Sequence, residues 1–270
     1  WGVPFGIAPM GMCNLAWPEA DLHFARLSKM RNLPLGVSTA SSTSLEDLFR
    51  LSESRAWFQL YVTGPIEEAV ALTDRAAQAG YDTLILTVDV PRLSRRPRDV
   101  RNGFSTPFCM SARNFLDFAF HPSWSLTTLA KGVPGMANYV GTQAKAYDRH
   151  APRTGADWDF LQSLRDRWRG KLVVKGVLST QDALRMKQLG VDAVYVSNHG
   201  GRQLDGTVSP LRVLPELRDV AGKDFKLIMD SGFRRGTDIL KAYALGVDFC
   251  LVGRPFLCAA AVAGRPGVDH

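Results

Sequence analysis

The chain has 270 residues, of which 46% are hydrophobic and 22% charged, and it carries a formal net charge of +7. This is enough apolar material for one large core. The lack of an 18-residue apolar run argues against a helix that spans a membrane, and the first residues do not have the pattern of a signal peptide. The positive charge favours small acids, phosphates or a membrane surface as partners over nucleic acid, because the basic residues are scattered and no nucleic-acid recognition motif is visible.

Short apolar runs alternate with amphipathic helical stretches along the chain, which is the pattern of a parallel sheet. The predicted strands lie at 3–8, 33–38, 57–62, 83–88, 171–175, 192–197, 225–230 and 248–253. The clearest helices lie at 65–80, 157–168, 179–190 and 236–246. This succession predicts an α/β protein of the closed (β/α)8 barrel type, or TIM barrel. An open doubly wound sheet is the alternative, although no GxGxxG turn follows any strand.

The connection between the fourth and fifth predicted strands is much longer than a compact barrel needs. Its last part is the helix at 157–168, which leaves an insertion at about 104–155 that is rich in aromatic residues and poor in charged ones. We interpret this insertion as a lid, an interface or a membrane-contacting segment. The whole chain, 1–270, is expected to form a single domain that carries it.

Polar or small residues lie at the carboxyl end of nearly every predicted strand, which is the end where barrels of this type carry their chemistry. A lone Ser or Thr at such a position is usually a cap or a satisfied core residue, but convergence of so many on one face predicts a pocket. The positions are Ala8, Pro9, Ser38, Gln59, Tyr61, Thr87, Asp89, Lys175, Ser197, His199, Asp230, Gly253 and Arg254.

The loops after the last two strands favour a phosphate site. Gly232, Gly236 and Gly253 allow backbone N–H groups to approach an anion, and Arg234 and Arg254 lie beside them in the sequence. The alternative is that these glycines only form turns and helix starts.

Lys175 leaves the type of chemistry open at this point. At a strand end its ammonium loses part of its hydration, so it either forms a Schiff base, as in an aldolase, or supplies a fixed positive charge beside a cofactor. A non-catalytic flavin- or phosphate-binding barrel is a further alternative, since a fold alone does not establish a function.

Several segments of this chain resemble the FMN-dependent enzymes that oxidise L-2-hydroxy acids. They are SNHGGRQLDG (197–206), FQLYV (58–62), LTVDVPR (86–92), VVKGV (173–177) and DSGFRRGTDILKAYALG (230–246). Four further segments are most similar to the membrane-associated mandelate and lactate dehydrogenases of that family: APMGMCNLAWPEAD, STASSTSLEDL, HPSWSL and GRPGVD. The resemblance covers essentially the whole chain and implies FMN as cofactor and a small 2-hydroxy acid as substrate.

The resemblance implies roles for five side chains around the substrate. His199 is the base that takes a proton from the substrate, and Asp89 orients its ring and stabilises the imidazolium. Tyr61 hydrogen-bonds the substrate or the developing keto oxygen. Arg202 and Arg96 bind the substrate carboxylate, for which a guanidinium offers a matching planar fork.

The same resemblance implies an FMN site. Lys175 lies near N1 and O2 of the flavin, where a positive charge stabilises the reduced ring, and Asp230 binds the ribityl hydroxyls. The residues expected at the ring or its polar edge are Ala8, Pro9, Met10, Ser38, Gln59, Thr87 and Ser197. Those expected at the phosphate are Gly232, Arg234, Gly253 and Arg254.

Two small residues bear on the substrate and the electron acceptor. Gly11 lies where the oxidases of this family tend to carry Ala, so the resemblance favours a dehydrogenase that reduces a quinone or another carrier. An oxygen-using oxidase is the alternative. Ala40 is small where glycolate oxidase has a bulky aromatic residue, so we expect an aromatic substrate such as mandelate, with lactate as the alternative.

The remaining expectations concern the setting of the protein. The four cysteines show neither CxxC pairing nor metal-ligand spacing, which favours reduced thiols, a cytoplasmic location and no bound metal. The basic charge and aromatic insertion are compatible with peripheral attachment to the inner face of the cell membrane. The resemblance implies a homo-tetramer. We expect the family's N-terminal segment, which supplies another tyrosine to the substrate, to be missing from this chain.

Overall fold

Parallel strands close into a barrel in the computed structural model, which describes residues 1–92, 94, 96–103, 109–139 and 153–270. The strands are β1 Phe5–Met10, β2 Leu35–Ser38, β3 Ala56–Leu60, β4 Thr83–Thr87, β5 Lys171–Val177, β6 Ala193–Val196, β7 Lys226–Met229 and β8 Phe249–Val252. They pair in chain order, and β1 pairs with β8 through Ile7 and Val252. The predicted closed barrel is therefore confirmed, and the open-sheet alternative is wrong.

Helices connect the strands. They are α1 Ala20–Arg31, α2 Leu45–Leu51, α3 Ile66–Ala79, α4 Pro97–Arg101, α5 Ala112–Phe120, α6 Pro122–Lys131, α7 Trp158–Arg167, α8 Thr180–Gln188, α9 Pro210–Ala221, α10 Gly236–Ala244 and α11 Arg254–Asp269, the last kinked at Ala263 and Gly264. Short 3-10 turns lie at Cys13–Leu15, Ala137–Tyr139 and His199–Gly201. The four helices predicted most clearly correspond to α3, α7, α8 and α10.

Local sequence determines where several helices begin and end. The side chain of Ser179 accepts the backbone N–H of Asp182 at 3.2 Å at the start of α8, and Asp157 accepts that of Phe160 at 2.8 Å at the start of α7. Both are N-caps of the usual kind. Gly80 ends α3 in the left-handed region, with φ 101°.

The strands are continuous apolar runs because both of their faces are covered. All five residues of β4 are buried. Inside the barrel, one apolar cluster fills the lumen with Ala8, Ile85, Val173, Ala193, Tyr195, Ile228 and Leu251. A second, larger cluster lies between the strands and the helices. The interior is thus packed, which leaves the carboxyl ends of the strands as the place for a site.

The first strand differs from its predicted bounds. It ends at Met10 rather than at Ala8, and its pairing with β2 changes register between Ile7 and Met10. Pro9 lies in this irregular stretch, and proline has no N–H to donate to a ladder. A proline near the end of an apolar run usually indicates that the strand ends before it. In this chain the strand instead changes register at Pro9 and continues to Met10.

The predicted insertion contains helices α5 and α6, and its parts at 104–108 and 140–152 lie outside the described residues. These helices expose several large apolar side chains: Phe115, Leu116, Phe120, Leu126 and Leu129. Trp124 of α6 donates its indole N–H to the carbonyl of Leu15 at 3.2 Å, which attaches the insertion to the loop after β1. Among the described helices, none has the length and apolar character needed to cross a membrane.

Candidate active site

Three polar side chains form a hydrogen-bonded row at the carboxyl end of the barrel. His199 follows β6, Asp89 follows β4 and Tyr61 follows β3. The His199 Nδ1 atom lies 3.0 and 3.2 Å from the two carboxylate oxygens of Asp89, and its Nε2 atom lies 3.3 Å from the hydroxyl of Tyr61. One ring nitrogen is therefore held from behind by a carboxylate, and the other is directed toward a phenol.

The row is largely shielded from solvent. The His199 and Asp89 side chains are 18% and 13% exposed. Burial opposes the ionisation of Asp89, but its hydrogen bond with His199 and the charge of Lys175 outweigh burial, so the pKa of Asp89 is lowered. Burial and the negative charge of Asp89 raise the pKa of Tyr61 well above its ordinary value. At neutral pH the site therefore holds a carboxylate and a protonated phenol.

The turn that carries His199 has an uncommon backbone. His199 itself has φ 58°, in the left-handed region that few side chains adopt, and its N–H donates to the hydroxyl of Ser197 at 3.0 Å. Ser231, with φ 75°, accepts the N–H of Gly200 at 3.0 Å and donates to Asp230 at 2.7 Å. Hydrogen bonds from two neighbouring strand ends thus hold the turn.

Lys175 is buried beneath this turn. Its ammonium donates to the hydroxyl of Ser197 at 2.9 Å and lies 3.5 Å from a carboxylate oxygen of Asp230. The same carboxylate oxygen accepts the hydroxyl of Tyr195 at 3.0 Å. The Lys175 nitrogen is therefore already engaged by two partners, which does not favour its use as a Schiff-base nucleophile.

A second buried polar row crosses β2, β3 and β4. Ser38 donates to the side-chain oxygen of Gln59 at 2.9 Å, and the side-chain nitrogen of Gln59 donates to the hydroxyl of Thr87 at 2.9 Å. All three side chains are almost fully buried. Their order gives a polar edge of fixed orientation at the mouth of an otherwise apolar barrel.

The loops after β7 and β8 form a positively charged, open corner. A Cβ on Gly232 or Gly236 would meet no atom of the described residues within 4 Å, so space lies in front of both. Arg254 donates to the carbonyl of Gly200 at 2.8 Å. Burial, followed by repulsion from Arg234 and Arg202, lowers the pKa of Arg254. A bound anion would relieve this repulsion.

The two arginines predicted to bind the substrate carboxylate are both exposed at the mouth. Arg202 follows the turn of His199, and its guanidinium makes no hydrogen bond or ion pair within the described part of the chain. Arg96 precedes α4 and donates to Ser94 at 3.3 Å. Both remain candidates by position, and Arg96 lies near enough to Tyr61 for its charge to oppose part of the rise in the pKa of that phenol.

Gly11 and Ala40 lie side by side at the ends of β1 and β2. The backbone N–H that follows Gly11, on Met12, donates to the carbonyl of Ala40 at 2.9 Å. A Cβ on Gly11 would lie 3.0 Å from the Cβ of Ala40, which is tighter than an ordinary contact. Two of the smallest side chains therefore face each other on this side of the mouth.

A cavity of about 160 Å³ opens next to Tyr61. Its lining combines apolar side chains with Thr87 and Arg153, the latter from the end of the predicted insertion. Sequence reasoning did not single out Arg153, because its position beside Tyr61 depends on how the insertion returns to the barrel.

Asn138 is another residue that sequence reasoning missed. It is fully buried, and its side-chain oxygen accepts the N–H of Leu45 at 2.8 Å. Its side-chain nitrogen donates to the carbonyls of Ser38 and Thr39, each at 3.2 Å. The neighbouring Tyr139 hydroxyl lies 3.2 Å from that of Thr63. The insertion is therefore attached directly to the strand end that carries Ser38.

Comparison with known proteins gives a consistent result. The sequence matches the family model described as FMN-dependent dehydrogenase over residues 1–270. It is 42% identical to (S)-mandelate dehydrogenase of Pseudomonas putida, over 99% of this chain and 69% of that protein. It is 38% identical to a putative L-lactate dehydrogenase of Mycobacterium tuberculosis, over 99% of this chain and 66% of that protein.

Solved structures give the same picture. The crystal structure of the monotopic membrane protein (S)-mandelate dehydrogenase superposes with a TM-score of 0.93 at 42% identity, covering 99% of this chain and 72% of the other. A crystal structure of mandelate oxidase with benzoyl-formic acid superposes with a TM-score of 0.80 at 34% identity, covering 99% and 69%.

Proposed function

The chain belongs to the FMN-dependent dehydrogenase family, and from this membership we propose that it oxidises an L-2-hydroxy acid of the mandelate or lactate type to the 2-keto acid. The observation that carries the proposal is the row formed by Tyr61, His199 and Asp89, with its contacts of 3.0 to 3.3 Å. An imidazole backed by a buried carboxylate is suited to accept a proton from a bound substrate.

The residues at the barrel mouth fit FMN. The buried row of Ser38, Gln59 and Thr87 can meet the polar edge of a flavin ring, and Lys175 supplies a fixed positive charge. The open space before Gly232 and the repulsion felt by Arg254 favour a phosphate in the corner after β7 and β8. When bound, FMN accepts the two electrons that the substrate loses.

The side chains of this chain then have separate tasks. Arg202 and Arg96 hold the substrate carboxylate at the mouth. His199 accepts the substrate proton at Nε2, and the Asp89 carboxylate stabilises the imidazolium that forms. Tyr61 stays protonated because its pKa is raised, so it donates a hydrogen bond to the oxygen that becomes the keto group.

For the substrate, we propose an aromatic acid such as mandelate, with lactate as the second candidate. The small side chains of Gly11 and Ala40 support room beside the reacting carbon, and a Cβ on Gly11 would narrow that side against Ala40. The two relatives described above, a mandelate and a lactate dehydrogenase, are consistent with both candidates.

An anaerobic absorbance titration of the purified protein with S-mandelate and then L-lactate tests the proposal. We expect a yellow protein that bleaches with either acid, faster with S-mandelate. A colourless protein that borohydride inactivates in the presence of substrate would contradict the proposal and favour the Schiff-base aldolase. A strong preference for glycolate would contradict the argument from Gly11 and Ala40.

Acceptor, location and assembly form the second part of the proposal. We propose a quinone or another carrier as acceptor, a cytoplasmic protein, and peripheral contact with the inner face of the membrane through α5 and α6. The exposed apolar side chains on these two helices and the monotopic relative support that contact. Oxygen uptake that matches substrate turnover would favour an oxidase instead.

We also propose that the protein forms a homo-tetramer. Its molar mass in solution, measured by light scattering, tests this assembly.

A further inference from the structure

Gly176 lies at an irregularity of β5 beside the proposed base. The pairing of β5 with β6 changes register between Lys175 and Val177, and Gly176, the residue between them, has φ 101°. Such bulges often occur next to active sites, where they redirect the backbone. On the other side of β5, the N–H of Val88 still donates to the carbonyl of Lys175 at 2.9 Å, so β4 and β5 remain in register up to this point.

The bulge brings the backbone of β5 against Asp89. A Cβ built on Gly176 would lie 2.5 Å from the Cβ of Asp89, 2.6 Å from its Cγ and 2.9 Å from its backbone nitrogen. All three distances are far shorter than real contacts of a Cβ. None of these atoms is the free end of a flexible side chain, so any substituent at position 176 must move the root of the Asp89 side chain or its backbone.

We propose that Gly176 is a positioning residue for the Asp89–His199 pair, an inference that rests on the proposed function. The missing side chain at 176 lets Asp89 lie against β5 with its carboxylate 3.0 Å from His199 Nδ1. A Cβ there displaces the carboxylate, and His199 loses the group that orients its ring. Lys175, the preceding residue, keeps its contacts with Ser197 and Asp230, because the displaced atoms belong to Asp89.

Gly176→Ala tests this proposal, with Gly190→Ala as the matched control. Gly190 also has a positive φ, 77°, but a Cβ there would meet only Arg165, at 4.0 Å. The control therefore adds a Cβ at a positive φ without the collision. We expect kcat to fall about 10²-fold in Gly176→Ala, as for a catalytic group misplaced by about 1 Å, with KM and FMN content unchanged. Gly190→Ala should stay within about twofold of wild type in kcat.

A double-mutant cycle separates this role from a general structural one. If Gly176 acts through Asp89, adding Gly176→Ala to Asp89→Asn should lower kcat by less than about threefold, because the interaction is already lost. Multiplicative losses would overturn the proposal, as would a Gly176→Ala protein that binds less FMN but keeps the wild-type kcat per bound FMN.

A measurement of melting temperature does not depend on turnover or on recovery of an active Gly176→Ala protein. Asp89→Gly removes the two side-chain atoms that collide and leaves the contact with the backbone nitrogen, so Gly176→Ala should lower the melting temperature less in that background than in wild type. An equal cost in both backgrounds would overturn the proposal. Wild type that binds FMN but is reduced by no 2-hydroxy acid would contradict the proposed function, while the melting comparison would still decide the role of Gly176.

Discussion

Replacement of Asp89 by Asn removes a charge and leaves the shape of the site almost unchanged. The carboxylate lies 3.0 Å from His199 Nδ1 and is 13% exposed, so solvent screens the pair only in part. Two unit charges about 4 Å apart attract by about 4 kcal/mol at the effective dielectric constant of such a site. The attraction exists only once His199 is protonated, and each 1.4 kcal/mol changes a rate about tenfold. Because an amide still hydrogen-bonds the ring, we expect the rate of substrate oxidation to fall between about 10²- and 10³-fold.

Stopped-flow measurement of flavin bleaching under anaerobic conditions gives this rate directly. The concentration of acid at half-maximal rate should stay close to that of wild type, because Arg202 and Arg96 are untouched. Asp166→Asn, an exposed position on α7, is the control for the substitution itself. An Asp89→Asn protein that retains FMN and bleaches within threefold of the wild-type rate would refute the reasoning about charge.

Other perturbations test different parts of the structure. Burial raises the pKa of Asp21 to about 6 from its ordinary 3.8, so the wild type loses stability as pH rises through that range. In urea unfolding, the stability of Asp21→Asn relative to wild type should therefore increase by about 3 kcal/mol between about pH 4 and 7. A stability difference that does not change with pH would contradict this. Asn138→Ala leaves three buried backbone groups without their partner, so we expect the free energy of unfolding to fall by about 3 kcal/mol. Fluorescence titration should also show weaker FMN binding. Unchanged FMN affinity would show that the insertion does not support the cofactor site. Phe120→Ser should lower the affinity for anionic vesicles, measured by co-sedimentation, about tenfold or more, while turnover of a soluble acid stays unchanged. Leu240→Ser, which replaces another highly exposed apolar side chain, should leave vesicle affinity unchanged. Equal effects of the two substitutions would contradict membrane contact through α5 and α6.

The sequence predicts the barrel well because its signal is local. Each strand is a short, mostly buried run, such as TLILT in β4, and most of these runs are followed by an amphipathic helix. The strand bounds are predicted less well: β1 runs through Pro9 to Met10, β5 extends two residues past its predicted end to Val177, and β3 ends at Leu60. The chain-order pairing then follows from general rules for parallel barrels and needs no information on individual side chains.

The site is predictable only in part, and the reason is sequence distance. His199, Arg202 and the phosphate-loop glycines lie in short motifs, so their resemblance to a family is visible without a structure. Asn138 and its partner Leu45 are 93 residues apart, and nothing near either position indicates the contact. Gly176 looks like any strand-end glycine until the register of β5 is known.

The left-handed backbone at His199 has a consequence for the balance between stability and activity. Outside glycine, such a φ costs a residue roughly 1 to 3 kcal/mol, although His, Asn and Asp adopt it more readily than other residues. The ring of His199 also contacts the Asp89 carboxylate and the Tyr61 hydroxyl, so removing the ring leaves Asp89 without its partner. An inactive His199→Asn protein should therefore melt lower than its parent, and an equal or higher melting temperature would contradict this. Catalysis and thermal robustness are then selected together at this turn, and a search for stabilised variants need not fix position 199 in advance.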